Sequence, residues 1–337
     1  MNPEEKRDGW IDAARGLAAL SVVLFHFNAI PSAGAPLWRL IWRHGYLGVP
    51  VFFVLSGWCI TASWLRSSDW RTFAVRRARR ILPAYYCSLA LVLLVAAVTT
   101  AFRGVNDVTA FPRGMTALVA TCTLATAPVT SIPTVNWVYW SLSYEAAFYL
   151  ILGIILPFAA PRQRPWRLVA VHVLLCGTVF WPGRPQHGVL FFADLWPLFG
   201  LGAALALYRS ARPAALTMLV AIAAWAFSTR AVPANPRYLT VAVATAAALV
   251  ASPWVGFPRF LGGLRQIGLF SYSLYLVHVP LGIYCVLRLL PDFGGSSGLI
   301  IARQLVALGL VLSLAWLFHL GCERPFLRAA PVPPAAG

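Results

Sequence analysis

Apolar residues run along this chain in blocks long enough to cross a bilayer, broken by arginine-rich, prolyl or turn-forming stretches. Ten spans are predicted, over residues 11–29, 46–65, 82–102, 137–160, 168–182, 189–208, 214–228, 238–255, 266–288 and 298–320. A further apolar piece, Met115 to Ala127, falls short of the ~20 residues a spanning helix needs and is read as a re-entrant or interfacial helix. The pattern predicts an all-α polytopic membrane protein of about ten transmembrane helices. It places one membrane-embedded domain over residues 1–326 and a disordered Pro/Ala-rich tail over 327–337.

Composition agrees with the pattern and narrows it. Sixty per cent of the residues are hydrophobic and only 11% charged, with a mean hydropathy of +0.73, which excludes a soluble globule of this length. The net charge of +17 does not point to nucleic acid, because the arginines fall in short clusters between apolar runs rather than along one stripe. With ten spans both termini share a side, and 18 of the 27 basic residues lie on that side or at its first helix mouth. The positive-inside rule therefore predicts a multi-pass membrane protein with both termini in the cytoplasm. The first span lacks a small-residue cleavage site and is expected to be retained. The six cysteines stand alone, with no histidine at metal-ligand spacing, so they read as small buried hydrophobes and no metal is expected.

Against this apolar background the polar residues stand out. Arg15 and His26 are eleven residues apart, so in a helix they lie ~16 Å apart along the axis and ~20° apart around it, on one face. A helix entering the bilayer at Arg15 would put His26 near mid-depth, where an ionisable group is costly and a functional candidate; the bland alternative is a snorkelling arginine and a histidine satisfied by a neighbouring hydroxyl. The segment Leu65 to Pro83, read as a loop, carries Arg71, Arg76, Arg77, Arg79 and Arg80. Arg77 and Arg80, at i and i+3, share a face and form a fork suited to phosphate groups, whereas Arg76 and Arg79 point elsewhere and serve topology and lipid contact. In the fourth span Trp137, Tyr139, Trp140, Tyr144 and Tyr149 surround Glu145; an interfacial belt accounts for the aromatics but not for a carboxylate two turns into an apolar helix. Asp194 invites the same argument in a weaker setting. Ser271, Tyr275 and His278 recur along one face of the ninth span, lining a cavity or joining helices. His319 reads as structural. Gly45, Gly48, Ser56 and Gly57 allow close helix approach in the second span, and Pro50 makes its start irregular.

In this order the blocks resemble the acyltransferase-3 family of integral-membrane O-acyltransferases. Asp12, Arg15, Gly16 and His26 match its opening R-x10-H pattern, and Gly48 to Gly57 resembles its FFVLSG block. Arg77, Arg80, Ile81 and Pro83 match R-x-x-R-I-x-P, Trp140 to Tyr149 matches W-S-L-x-x-E-x-x-F-Y, and Ser271 to Pro280 matches S-Y-x-x-Y-L-x-H-x-P. Departures are Ala13 and Ala14, Val49 and Pro50, Trp58, and Ala146 where a second acidic residue is common. The resemblance implies transfer of an acyl group, usually acetyl from cytoplasmic acetyl-CoA, to a hydroxyl of a carbohydrate or glycosylated acceptor, in a cavity open to both sides. It assigns donor contacts to Arg15, Arg77 and Arg80 and catalysis to His26 and Glu145. Asp12, Ser56, Trp140, Ser141, Tyr149, Tyr275 and His278 would support them. His26 would act as general base, with Glu145 orienting it, or would itself carry the acyl group. Two rival classes are a proton-coupled exporter of a glycan or glycolipid, disfavoured by the absence of an inverted repeat, and a scaffold, which has no need of the Arg15/His26 face. The acceptor is expected to meet the segment 103–136 and the helix mouths.

Overall fold

A computed structural model of the chain describes residues 3–29, 36–67, 69–104, 106, 108–155, 157, 163–178, 181, 190–228, 236–252, 254–291 and 296–328. Among these the fold is all-helical. Six segments are long and apolar enough to cross a membrane: Gly9–Phe27, Pro36–Leu65, Trp70–Arg103, Trp137–Ile155, Ser271–Leu289 and Ser297–Leu327. They contain α1 (Pro3–Phe27), α2 (Pro36–Trp42), α3 (Gly48–Leu65), α4 (Trp70–Arg103), α6 (Trp140–Ile155), α12 (Ser271–Val277) and α14 (Ser297–Phe318). Between α4 and α6 lies the short α5 (Gly114–Cys122). The bundle is completed by α7 (Arg164–Gly177), α8 (Trp196–Leu207), α9 (Arg212–Phe227), α10 (Arg237–Ala251) and α11 (Gly262–Leu269). Small helices α13 (Leu287–Leu289) and α15 (Arg324–Arg328) close the last two long segments.

Four of the ten expected spans correspond to helices shorter than these six segments. Helices α7 to α10 hold 12–16 residues, a rise of ~18–24 Å against a hydrocarbon core of ~30 Å. In α8 the reason is proline: Pro197 occupies its first turn, and the apolar residues from Leu190 to Leu195 just upstream fall outside the helix. Pro165 and Pro213 likewise sit in the first turns of α7 and α9. Phe191 to Asp194, counted as the start of a span, form a separate 3-10 turn; Asp194 ends that turn rather than sitting within an apolar helix.

The arginine-rich stretch is not a loop. Asp69 caps α4, its carboxylate accepting from Thr72 N at 2.8 Å and from the Thr72 hydroxyl at 2.7 Å, and the helix then runs 34 residues to the left-handed cap at Gly104. Pro83 lies inside it without ending it. Arg77 and Arg80 face partly inward and Arg76 and Arg79 are exposed, the division their spacing predicts.

Close helix contacts rest on glycine. A Cβ on Gly57 would stand 2.0 Å from the Phe199 carbonyl oxygen and one on Gly202 1.9 Å from that of Val54, so α3 and α8 touch backbone to backbone. Helix α5, nine residues long, is tied down by Tyr85 and Tyr86, whose hydroxyls donate to the carbonyls of Thr121 (2.6 Å) and Cys122 (2.9 Å). Met115, Leu118 and Val119 project from it, an arrangement fitting an interfacial helix. Leu327 and Arg328, expected to begin the tail, belong to α15, and the rest of the expected tail, 329–337, lies outside the described residues.

Candidate active site

Two levels of the bundle carry the polar residues, one around Arg15 and one around His26. At the Arg15 level a pocket is lined by Arg15, Arg80, Ser56, Ser141, Glu145, Tyr149 and Tyr275, residues drawn from α1, α3, α4, α6 and α12. Phe52, Phe53, Val49 and Leu142 supply apolar walls. Arg15 Nε donates to Ser271 Oγ at 3.4 Å. Asp12, Arg15, Arg77 and Arg80 lie within electrostatic reach of Cys59, so the basic residues converge on one end of α3. Arg77 stands behind the pocket, its guanidinium 5.8 Å from the Tyr149 ring and its Nη2 donating to Ser63 Oγ at 3.3 Å. Its Nε is buried with no hydrogen-bond partner among the described residues.

Glu145 belongs to this level. Its Oε1 accepts from the Tyr149 hydroxyl at 2.5 Å and from Ser56 Oγ at 3.3 Å. The expectation that it orients His26 is corrected here, because the partner of His26 is another histidine. Helix rise explains the difference: Trp137 is level with His26, and Glu145 lies eight residues further along, ~12 Å lower. Trp140 is likewise turned into an aromatic cluster, packing edge-on against Phe53 and Tyr144.

At the other level His26 occupies the last turn of α1 and is partly exposed. Its Nδ1 lies 2.8 Å from Nε2 of His278, with the two rings 17° from coplanar. The direction of this hydrogen bond follows from the sequence around Pro280. After Val277 the helix widens into a π-helical stretch, His278–Val286. Pro280 has no N–H, so the carbonyls of Leu276 and Tyr275 lose the donor it would have supplied in an α or a π register. Asn136 Nδ2 donates to the Leu276 carbonyl at 3.2 Å. His278 Nδ1 lies 2.8 Å from the Tyr275 carbonyl and 3.2 Å from that of Leu274. Carbonyls only accept, so Nδ1 of His278 carries a proton, and in the neutral ring Nε2 is the acceptor. His26 Nδ1–H then donates to it, and Nε2 of His26 keeps its lone pair.

Tyr275 joins the two levels. Its hydroxyl lines the pocket, donates to the Val138 carbonyl at 3.0 Å and accepts from Ser141 at 2.7 Å, while its backbone oxygen anchors His278. The ring of Trp137 is stacked on His26, with centroids 5.4 Å apart and planes at 22°.

A third cluster escaped the sequence reading. Glu323, its side chain fully buried in the π-helical turn His319–Glu323, pairs with Arg80 Nη1 at 2.7 Å. Its other oxygen accepts from Ser273 Oγ at 2.6 Å and from His319 Nδ1 at 2.9 Å. Arg80 is thus a tethered arginine whose guanidinium also lies over Tyr272, 5.9 Å from the ring centroid, not half of a loose fork with Arg77. The i, i+4 spacing of His319 and Glu323 at the end of an apolar span was the available signal.

The family model for an acyltransferase domain matches residues 8–320. The chain belongs to that family. Among curated proteins it is 32% identical, over 80% of its own length and 72% of the relative's, to the putative membrane-bound transacylase BcsY of Komagataeibacter xylinus. It is 29% identical to the O-acetyl transferase of Shigella phage Sf6, covering 59% of this chain and 62% of that protein. A third similarity, 34% identity, is to the peptidoglycan O-acetyltransferase OatA of Listeria monocytogenes and covers 25% of this chain and 13% of the relative. For most of the curated relatives, the match spans less than two thirds of their length. No solved structure matches.

Proposed function

We propose that this protein transfers an acyl group, in the first instance acetyl, from acyl-CoA to a hydroxyl of a carbohydrate or glycosylated acceptor, with His26 as general base. The observation that carries the reading is the hydrogen-bonded His26–His278 pair, whose direction leaves His26 Nε2 unprotonated. In one step the acceptor oxygen attacks the thioester carbonyl, its proton passes to Nε2, and the C–S bond breaks. The proton then goes to the departing thiolate, giving the O-acyl ester and free CoA. When Nε2 takes the proton, the imidazolium is stabilised by its Nδ1–H bond to His278, the part a carboxylate plays in a hydrolase triad.

Donor binding is assigned to the pocket at the Arg15 level. The guanidiniums of Arg15 and of Arg80, the latter held by Glu323, line it and offer donors to anionic phosphates, and the Nε of Arg77 behind it is a further buried donor with no partner among the described residues. The ~16 Å from Arg15 to His26 is bridged by the pantetheine arm, which passes Ser141 and Tyr275. With the arginine-rich end of the bundle in the cytoplasm, as the charge bias favours, the donor enters from within and the acceptor meets His26 from outside a bacterial cytoplasmic membrane. In this arrangement the six long helices and the four shorter ones together enclose a cavity reached from both faces. The test is purified protein in nanodiscs supplied with acetyl-CoA: CoA is released in the presence of a carbohydrate acceptor by the wild type and not by His26→Ala.

A further inference from the structure

At Trp137, whose ring is stacked on His26, lies a second pocket that shares no lining residue with the arginine-lined one and that the mechanism has not used. Its walls are the tip of the 103–136 segment (Thr109, Ala110, Thr134), the turn holding Asn136 and Trp137, and Pro280 and Tyr284 of the π-helical stretch. From these residues we infer that it is a binding site for an uncharged saccharide ring, with Trp137 as its stacking platform. The inference rests on the acyltransferase reading only for its biological purpose, and it specifies where the acceptor sits.

The chemistry of the walls selects the ligand. None of the described lining residues is charged, which disfavours a phosphate or carboxylate as the recognised group. Apolar walls from Val92, Val108 and Val279 are joined by Thr134 and Tyr284, and by Thr109 and Asn136 whose polar groups are held by backbone partners, so the lining mixes apolar and polar residues. A pyranose satisfies both, since its C–H faces are apolar and its rim carries hydroxyls. Trp137 offers the complementary surface. Although it begins an apolar helix, it is 47% exposed, and the ring of His26 covers only part of the indole. In the inferred pose a sugar rests on the remainder, sharing the indole with the imidazole, and turns a rim hydroxyl, or that of the adjoining residue in an oligosaccharide, toward Nε2.

The platform is held rigidly, as a recognition surface must be. Asn136 is buried; its side-chain oxygen accepts from Val138 N at 3.4 Å while its Nδ2 is fixed to the Leu276 carbonyl. The same asparagine therefore sets both the turn that presents Trp137 and the backbone beside His278. The Thr109 hydroxyl donates to the Val135 carbonyl, which closes the 103–136 segment onto the turn.

The test uses the full chain in nanodiscs, with methyl β-glucopyranoside and N,N′-diacetylchitobiose as probes read by saturation-transfer NMR, and decanol as an apolar control. Both saccharides should receive saturation at their ring C–H protons. Their apparent dissociation constants should rise about tenfold or more in Trp137→Ala and in Ala110→Trp, which fills the pocket, but stay within about threefold in Trp137→Phe. Acetyl-CoA binding should persist in Ala110→Trp. Saccharide signals unchanged in Ala110→Trp and Trp137→Ala overturn the inference, as does the absence of saccharide signal in the wild type. Decanol binding that alone is lost in Ala110→Trp overturns it in favour of a lipid site. The two readings fail separately: a protein that binds no acetyl-CoA but shows the saccharide pattern keeps the site and loses the transferase reading, and the converse result keeps the reaction and loses the site.

Discussion

Replacing His278 by alanine isolates the hydrogen bond on which the proposed base depends. In the native site Nε2 of His278 accepts from His26 Nδ1–H at 2.8 Å, and the Tyr275 and Leu274 carbonyls hold the accepting ring in place. The bond matters most after proton transfer, when its donor is an imidazolium, and a hydrogen bond to a charged group contributes ~1.5–3 kcal/mol. His278→Ala therefore lowers kcat by about 10- to 150-fold, each ~1.4 kcal/mol being a factor of ten. The donor pocket is not lined by His278, so the KM for acetyl-CoA should change by less than about twofold, because the lost interaction is made chiefly in the transition state. His278→Gln, whose amide oxygen can accept in the place of Nε2, should recover part of kcat. Steady-state measurements on nanodisc protein, with CoA release followed by a thiol reagent, give both parameters. A His278→Ala variant with unaltered kcat, or one impaired only through the KM for acetyl-CoA, refutes the reasoning.

Further outcomes follow from the other clusters. Arg77→Gln and Arg80→Gln should each weaken acetyl-CoA binding by ~1.5–3 kcal/mol in calorimetric titration, while the exposed Arg76 and Arg79 tolerate the same change. Glu323→Gln should raise the KM for acetyl-CoA several-fold more than it lowers kcat, since it unties Arg80 from a carboxylate without emptying the space; a variant with wild-type donor affinity contradicts a positioning role. Gly57→Val should lower thermal stability and yield of folded protein, because its Cβ would meet the Phe199 carbonyl, and a wild-type melting temperature would show that α3 and α8 can separate at little cost. Cysteine labelling at the exposed position 71, with Arg71→Cys placed in a variant whose six native cysteines are replaced, should succeed only from the cytoplasmic side, and labelling from outside would reverse the membrane orientation.

What could be read from the chain beforehand was what depends on local spacing. The helical class, the shared face of Arg15 and His26 and the split between Arg77/Arg80 and Arg76/Arg79 all follow from 3.6-residue periodicity. What could not be read depends on depth and on partners distant in sequence. Glu145 and His26 are both polar groups in apolar helices, and nothing in either segment fixes their relative height; the structure sets them one level apart. His278 was assigned to a polar stripe, and its promotion to partner of His26 required Pro280 to open the helix and free the carbonyls that orient the ring. Glu323 meets Arg80 across 243 positions of chain, beyond the reach of any local pattern. Helix α8 is shorter than its expected span because hydropathy registers apolar residues whether or not proline lets them join a helix.

The central claim is that His26 removes the acceptor proton. It is tested most directly with correctly inserted His26→Ala protein, given saturating acetyl-CoA and acceptor, compared with wild type by rapid quench and intact-protein mass spectrometry. The account predicts that acetyl-CoA binding is retained, that acyl transfer falls by at least ~10²-fold, and that wild type mixed with donor alone shows no acetyl adduct. Near-normal turnover by His26→Ala contradicts the claim outright. An adduct of one acetyl group that forms in wild type and disappears with His26 contradicts the general-base step and replaces it with an acyl-histidine intermediate.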